Sequence, residues 1–525
     1  MLVSTTEPRF YPIQHADCRV LGNGPSALIL SYILHGNVPY YTGGHHDAIL
    51  DAKLSKQPCL LNITPDLYEH FRSSLRYSTQ ALPINTLLDT LIRPNADTEA
   101  NPTTRIEWRR EPERAVPHVV LGNGSRAGGQ WANTPVSASC EIGTLSYAEM
   151  LSLPGYEYAE HYMARNGLVL PDFERPTRRE VAEYYAAYPA MTGIADVIHD
   201  GEQVHGVVRT RNGFLIVSHG IRCNHLVLAS GTFSINIPPP RSLTPLVLMQ
   251  NREEPLLVIG SGFSAADIIL SAPPHREIIH VYRWSPEERP SPLKNCHYQA
   301  YPEYATVYRQ MKLAASSLTH QKSVSPLMRR KSNPFFNQRD WASVYQGLPN
   351  ADVLEAYPSE GACIARIRTF SGEVLEIRVG ELAYVVGRRG SLDYLDQELL
   401  AELLEPAQDA LQPQRPAEHI LISGRTLRAK IEITPEVAPD VFVTGSLTGD
   451  SLVRHAFGVC AFVAGQIISD AKAVNGHLDG AYTPPMRSVP SSIGSTPVSR
   501  SPIIQANGVS HEDLHLDRRK LTQPR

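Results

Sequence analysis

Residues 18–34 read CRVLGNGPSALILSYIL, and residues 255–270 read PLLVIGSGFSAADIIL. Each is an apolar run, then a glycine turn, then the opening of a helical pattern. Gly22 and Gly24 with Ala27, and Gly260 and Gly262 with Ala265 or Ala266, follow the spacing of a dinucleotide loop. The spacing has a mechanical reason. The first glycine makes the tight turn, and the second lets the backbone approach a pyrophosphate. The helix that follows points unpaired N–H groups and its positive dipole end at the phosphates. One such loop is equally an ordinary turn. Two of them, both set between a strand-like and a helix-like stretch, predict an α/β chain with two Rossmann-like domains, each holding one dinucleotide.

The rest of the chain bounds this reading. At 525 residues it exceeds the size of a single core and divides into two or three domains. A formal charge of −4 gives no electrostatic reason to expect nucleic acid or anionic lipid, and 42% hydrophobic with 19% charged residues is ordinary for a globular protein. Arg329-Arg330-Lys331 reads as a solvated loop rather than an import signal. Seven cysteines show no CxxC and no zinc spacing, so they read as reduced thiols and no metal is expected. The opening MLVSTTEPRFYPIQHADC lacks a cationic segment with an apolar core after it, and no apolar run nears the ~20 residues of a membrane span. A cytoplasmic location is the default expectation.

Along the chain, 1–16 is an extension, while 17–235 and 391–482 form one domain from two chain segments, with an insertion at about 43–116. Residues 236–390 form the second domain. Ser26 to Leu34 reads as a helix ended by Gly36, and His118 to Leu121 as a short strand. Pro176 to Ile194 reads as an amphipathic helix with Pro in its first turn and Gly193 at its stop. Leu226 to Ala229 is the continuous apolar run of a strand buried on both faces. Gly128-Gly129, before Trp131, permit close approach to something flat. From Thr483 the Pro/Ser-rich composition of 483–525 predicts a disordered tail.

GNGPSA, GGQW, LASGTF, VIGSGFSAAD and YVVGR, in this order, resemble the motif series of class B flavin monooxygenases. RPTRREVAEYY, YPEYATVY and GSLTGDSLVRHAFG are similar to one branch, the oxidative-stress-induced growth inhibitor proteins, over roughly residues 17–475. GNGPSALILSYIL and TGDSL also resemble loops of ornithine and lysine N-hydroxylases. The resemblance implies an FAD domain from 17–235 and 391–482 and an NADPH domain at 236–390. Gly22, Gly24, Pro25 and Ser26 would cradle the FAD pyrophosphate, with Gly129, Gln130 and Trp131 lining the flavin and Asp450 facing its ribityl chain. Asp450 is equally an N-cap. Gly260, Gly262, Ser264 and Ala265 would meet the second pyrophosphate. At the end of the next strand an acid binds a free ribose hydroxyl, whereas Arg accommodates a 2′-phosphate. Here HVYRW supplies Arg283 and no acid, which favours NADPH; a plain surface arginine is the alternative.

The activity so implied is insertion of one oxygen atom from O₂ into a small molecule through a flavin hydroperoxide. Amine N-hydroxylation is one alternative. Another is a catalytically weak or inactive regulator of growth or oxidative-stress response. In such enzymes the flavin activates oxygen, so no side-chain nucleophile is required. Asn133 and Asn62 are the candidates for hydrogen-bonding a peroxyflavin, or are plain loop asparagines. The FxGxxxHxxxWP signature of Baeyer–Villiger enzymes is absent, SGTFSINIPPP standing there, and the lack of CxxC excludes a thioredoxin-reductase-like role. One departure stands out. The family pattern has an acid for the FAD ribose six positions before the first glycine of GGxW, and here that position is Gly122. Asp47 and Asp51 lie at a suitable sequence distance but follow Gly43-Gly44 and no strand end.

Overall fold

A computed structural model describes residues 15–62, 81–94, 102–319, 339–404, 420–431 and 434–476. Thr483 and the tail beyond it lie outside the described residues.

The apolar run before the first glycine loop is the strand His15–Leu21, at the middle of a parallel sheet. His118–Gly122 pairs on one side, followed by Ile198–Asp200. Ile221–Leu228 pairs on the other, followed by Val441–Val443. Counted in chain order these strands lie third, second, first, fourth, fifth, which is the doubly wound order with its switch point at the first strand. Glu436–Ala438 adds an antiparallel edge, and the hairpin Val207–Thr210/Gly213–Ile216 pairs onto Ile221–Leu228.

The second loop repeats the plan. Leu256–Ile259 is flanked by Ile278–Tyr282 and Glu381–Tyr384, with Tyr345–Pro349 outermost, all parallel and ordered third, second, first, fourth. Both faces of this sheet are covered, which is why its strands are continuous apolar runs. Val258 and Ile278 pack under the helices Phe263–Ser271 and Pro302–Thr319. Leu257, Ile279 and Val281 pack against an antiparallel meander of Asp352–Ser359, Ala362–Arg368 and Val374–Val379. The expected pair of Rossmann-like units is present. The chain crosses between them twice, and the crossings pair: Ile235–Asn236 lies antiparallel to Arg388–Ser391.

Two local expectations change. The excursion after the first helix, Pro25–Leu34, begins before residue 43, because Asn37–Tyr41 already pairs with Ile106–Arg110 and not with the large sheet. The helix after Pro176 is Arg178–Thr192. Its cap is Thr177, whose hydroxyl accepts from Glu180 N–H while the Glu180 carboxylate accepts from Thr177 N–H, so Pro176 precedes the cap instead of sitting in the first turn. Gly193 ends it in the left-handed conformation. Tyr184, Tyr185 and Tyr188 on this helix are fully buried. Each donates its hydroxyl to a backbone carbonyl, of Tyr156, Leu151 and Pro154 respectively.

Candidate functional site

The two glycine loops share one hydrogen-bond pattern. Gly22 N–H donates to Leu121 O at 2.8 Å and Gly260 N–H to Val281 O at 3.0 Å, each reaching the end of the second strand of its sheet. Ala229 N–H donates to Leu21 O at 2.8 Å and Val385 N–H to Ile259 O at 2.9 Å, from the end of each fourth strand. Gly22 and Gly260 have φ of +123° and +150°. A β-carbon would lie 2.4 Å from Ala229 O at one and 2.5 Å from Val385 O at the other, so both positions exclude any side chain. The second glycines differ. A β-carbon on Gly24 or Gly262 would come no nearer than 3.9 Å to protein. The protein thus requires the first glycine of each pair, while the second leaves open space above a helix N-terminus.

At the carboxyl ends of the first sheet a cleft of about 910 Å³ opens beside Gly22, Gly24, Pro25 and Ser26. Gly129, Gln130 and Trp131 form a facing turn that presses close to Gly24, and Trp131 meets Tyr185 edge-on at 6.1 Å. Gln130 Oε1 accepts from Arg388 at 3.2 Å, a residue of the second crossing. Asn133 lines the cleft. Asn62 is exposed at the end of a described segment and is not among the lining residues.

Asp450 also lines the cleft, yet it is not the N-cap of the helical turn after it, Val453–His455, whose cap is Leu452. Its Oδ2 accepts from Leu82 N–H (2.8 Å) and Asn85 Nδ2 (2.7 Å), and its Oδ1 from Arg428 (2.7 Å). That carboxylate chiefly braces the wall. Asp47 and Asp51 are engaged elsewhere: Asp47 caps the helix Ala48–Lys56, and Asp51 accepts from Tyr41 hydroxyl and Gly44 N–H. Neither lines the cleft.

Gly122 does end the second strand, where the acid was expected. A β-carbon there would fall 2.2 Å from Asn23 Cγ. Asn23, the residue between the two loop glycines, fills the space. It is 2% exposed and donates Nδ2 to Asp200 Oδ1 (2.6 Å) and Arg126 O (3.1 Å). Glu202 to His205, which line the cleft beside this plug, carry no motif and were not legible in the sequence, nor was Tyr394; Ser230 and Phe233, also in the lining, belong to LASGTF.

Around the second loop, Ser264 lies in the first turn of its helix, and Arg283 follows Ile278–Tyr282 directly and is exposed. His280, fully buried in that strand, holds the loop. Its Nε2 lies 2.7 Å from Gly260 O and its Nδ1 2.7 Å from Tyr345 Oη. Since a carbonyl only accepts, Nε2 carries the proton and Nδ1 accepts from the tyrosine. Burial pushes the His280 pKa down to about 4. The unfolded imidazole protonates near 6.5 and the folded one near 4, so stability is full above pH 6.5 and declines as pH falls towards 4. The loss should reach roughly 3 kcal/mol. Denaturant titrations of wild type and His280→Gln between pH 7.5 and 4.5 should show a shallower decline in the variant. Asp267, on the same loop helix, is pushed by burial up to about 6, against the pull of the Tyr304 hydroxyl at 2.9 Å and of Arg178 and Arg388.

All seven cysteines are free thiols. Among the described residues no cluster of His, Cys, Asp or Glu is placed to hold a metal ion, and no helix is long and apolar enough to cross a membrane.

These observations define a doubly wound α/β chain with two glycine loops of one geometry. No protein-family model matches it. It is similar to oxidative stress-induced growth inhibitor 1 of Mus musculus, 29% identical over 335 residues, covering 56% of this chain and 68% of the relative. The Homo sapiens protein of the same name is 24% identical over 490 residues, covering 86% and 94%. Among solved structures, the bacillithiol disulfide reductase Bdr of Staphylococcus aureus aligns with a TM-score of 0.47 at 12% identity, covering 87% of this chain and 99% of that one. A mutant flavin monooxygenase of Stenotrophomonas maltophilia aligns with a TM-score of 0.46 at 14% identity, covering 87% and 100%.

Proposed function

We propose that this chain is an FAD- and NADPH-dependent monooxygenase acting on a small molecule. The observation that carries the reading is the doubled loop, in which Gly24 and Gly262 each leave an open cradle over a helix N-terminus. FAD would lie in the 910 Å³ cleft, its pyrophosphate against Gly24 and Ser26 and its ring against Trp131. NADPH would lie against Gly262 and Ser264. Bound flavin supplies the oxygen-activating chemistry. The chain's own residues bind and orient: Gln130, fixed by Arg388, holds the turn that carries Trp131, and Asn133 offers an amide donor to the cleft. The test is spectroscopic. Purified protein should carry or take up FAD, be bleached by NADPH, and recover its colour in air. Protein that cannot be loaded with FAD overturns the reading.

A catalytically weak regulator is the second reading. The missing acid at Gly122 favours it, and the relatives are named growth inhibitors. FAD uptake without reduction by NADPH would support it.

Arg283 would select NADPH through charge-assisted hydrogen bonds to the 2′-phosphate. At about 1.5–3 kcal/mol each, their loss in Arg283→Ala should narrow the NADPH/NADH preference about tenfold or more. An unchanged ratio of reduction rates rejects the role.

A further inference from the structure

We propose that Glu202 takes over the ribose-binding role of the acid missing at Gly122, accepting hydrogen bonds from the vicinal diol of an adenosine ribose in the first cleft. The inference rests on the dinucleotide reading of that cleft. In a doubly wound unit the ribose lies over the end of the second strand, and a carboxylate there accepts from its hydroxyls. Gly122 ends that strand without a side chain, and Asn23 closes the vacated space, so no acid could stand there.

The third strand, Ile198–Asp200, is the neighbour of the second, and the segment after it folds back across the second strand's end. Gly201 N–H donates to Gly124 O at 2.7 Å and Glu202 N–H to Gly122 O at 2.9 Å. This lacing puts the Glu202 backbone against the residue that lacks the acid, and Glu202 lines the cleft. Of the two carboxylates brought to this corner, Asp200 holds the Asn23 plug. The Glu202 side chain is 16% exposed, with His219 Nε2 at 3.2 Å from its Oε2. That contact fixes the side chain at the cleft wall. The remaining acids of the cleft stand elsewhere, Asp450 among Leu82, Asn85 and Arg428 and Asp393 on the strap after the second crossing. The acid is displaced by one strand, not lost.

The test uses the full-length protein. FAD and FMN are titrated by quenching of flavin fluorescence, and ADP and 2′-deoxy-ADP are compared as competitors of FAD. Glu202→Gln preserves size and should weaken FAD about tenfold or more, by loss of hydrogen bonds to a charged acceptor. FMN, which has no adenosine, should bind the variant as it binds wild type. In wild type ADP should compete better than 2′-deoxy-ADP, and in the variant that advantage should shrink. The competition in wild type stands even if the variant fails to fold. Wild type that binds no FAD defeats the dinucleotide reading itself. Wild type that binds FAD while Glu202→Gln binds it equally tightly defeats only the role of Glu202. Equal weakening of FAD and FMN would make Glu202 a brace for His219 and also overturn the proposal.

Discussion

Gly24→Ala should give a folded protein that no longer retains flavin, and Gly262→Ala a folded, flavin-loaded protein that NADPH no longer reduces. Both positions have negative φ (−80° and −106°), and the added methyl would meet nothing nearer than 3.9 Å, so neither change strains the protein. What it obstructs is the approach of a phosphate to the backbone. Losing two charge-assisted hydrogen bonds at about 1.5–3 kcal/mol each weakens binding at least about 100-fold. Gly22→Ala is the contrasting control. Its methyl would strike Ala229 O at 2.4 Å from a backbone with positive φ, so it should lower the unfolding midpoint whether or not a ligand is present. If Gly24→Ala and Gly262→Ala keep wild-type affinities, the open space over the two helices is not a pyrophosphate site.

Asp89→Asn should cost about 3–5 kcal/mol of folding stability, because it removes the carboxylate charge facing a desolvated guanidinium. Arg454 donates Nε and Nη2 to the Asp89 carboxylate at 2.9 and 2.7 Å, and the two side chains are only 12% and 11% exposed. The pair fastens the inserted helix Pro83–Ile92 to the segment that carries Leu452 and Val453 along the cleft wall. Asn85 of the same helix adds a second fastening, accepting from Val459 N–H at 2.9 Å and donating to Asp450. Denaturant unfolding of the single variant and of an Asp89→Leu/Arg454→Met pair separates the terms. The double variant should recover most of the loss, since replacing both ends removes the stranded charge. A loss below 1 kcal/mol in Asp89→Asn would mean the pair behaves as a solvated surface contact.

The glycine loops were legible because every signal they need is local: an apolar strand, two glycines at fixed spacing and a helical pattern after them. Sheet order is not local. The carboxylate at Glu202 sits in a segment without a motif, and only the pairing of Ile198–Asp200 beside His118–Gly122 brings it to the first loop. The resemblance singles out Asp450, but its engagement by Leu82 and Asn85 depends on residues hundreds of positions earlier in the chain. Asp47 and Asp51 suited the sequence distance and were consumed by a helix cap and a turn, both short-range bonds that compete for any acid near a helix start. The start of the inserted excursion, expected at about residue 43, depends on pairing in the same way. Asn37–Tyr41 carries Pro39 at its middle and pairs antiparallel with Ile106–Arg110, a partner distant in sequence, as a two-stranded ribbon apart from the large sheet.

The Asn23 plug locks this corner against a side chain at position 122. An acid cannot stand at position 122 while Asn23 is present, because its first carbon would fall 2.2 Å from the asparagine Cγ. Nor is Asn23 free to shrink first, for that would leave Asp200 and the carbonyl of Arg126 without their donor. Each change is harmful without the other. Seating an acid at the end of the second strand therefore takes two coordinated substitutions, whereas a single one suffices to alter the pocket from the neighbouring strand.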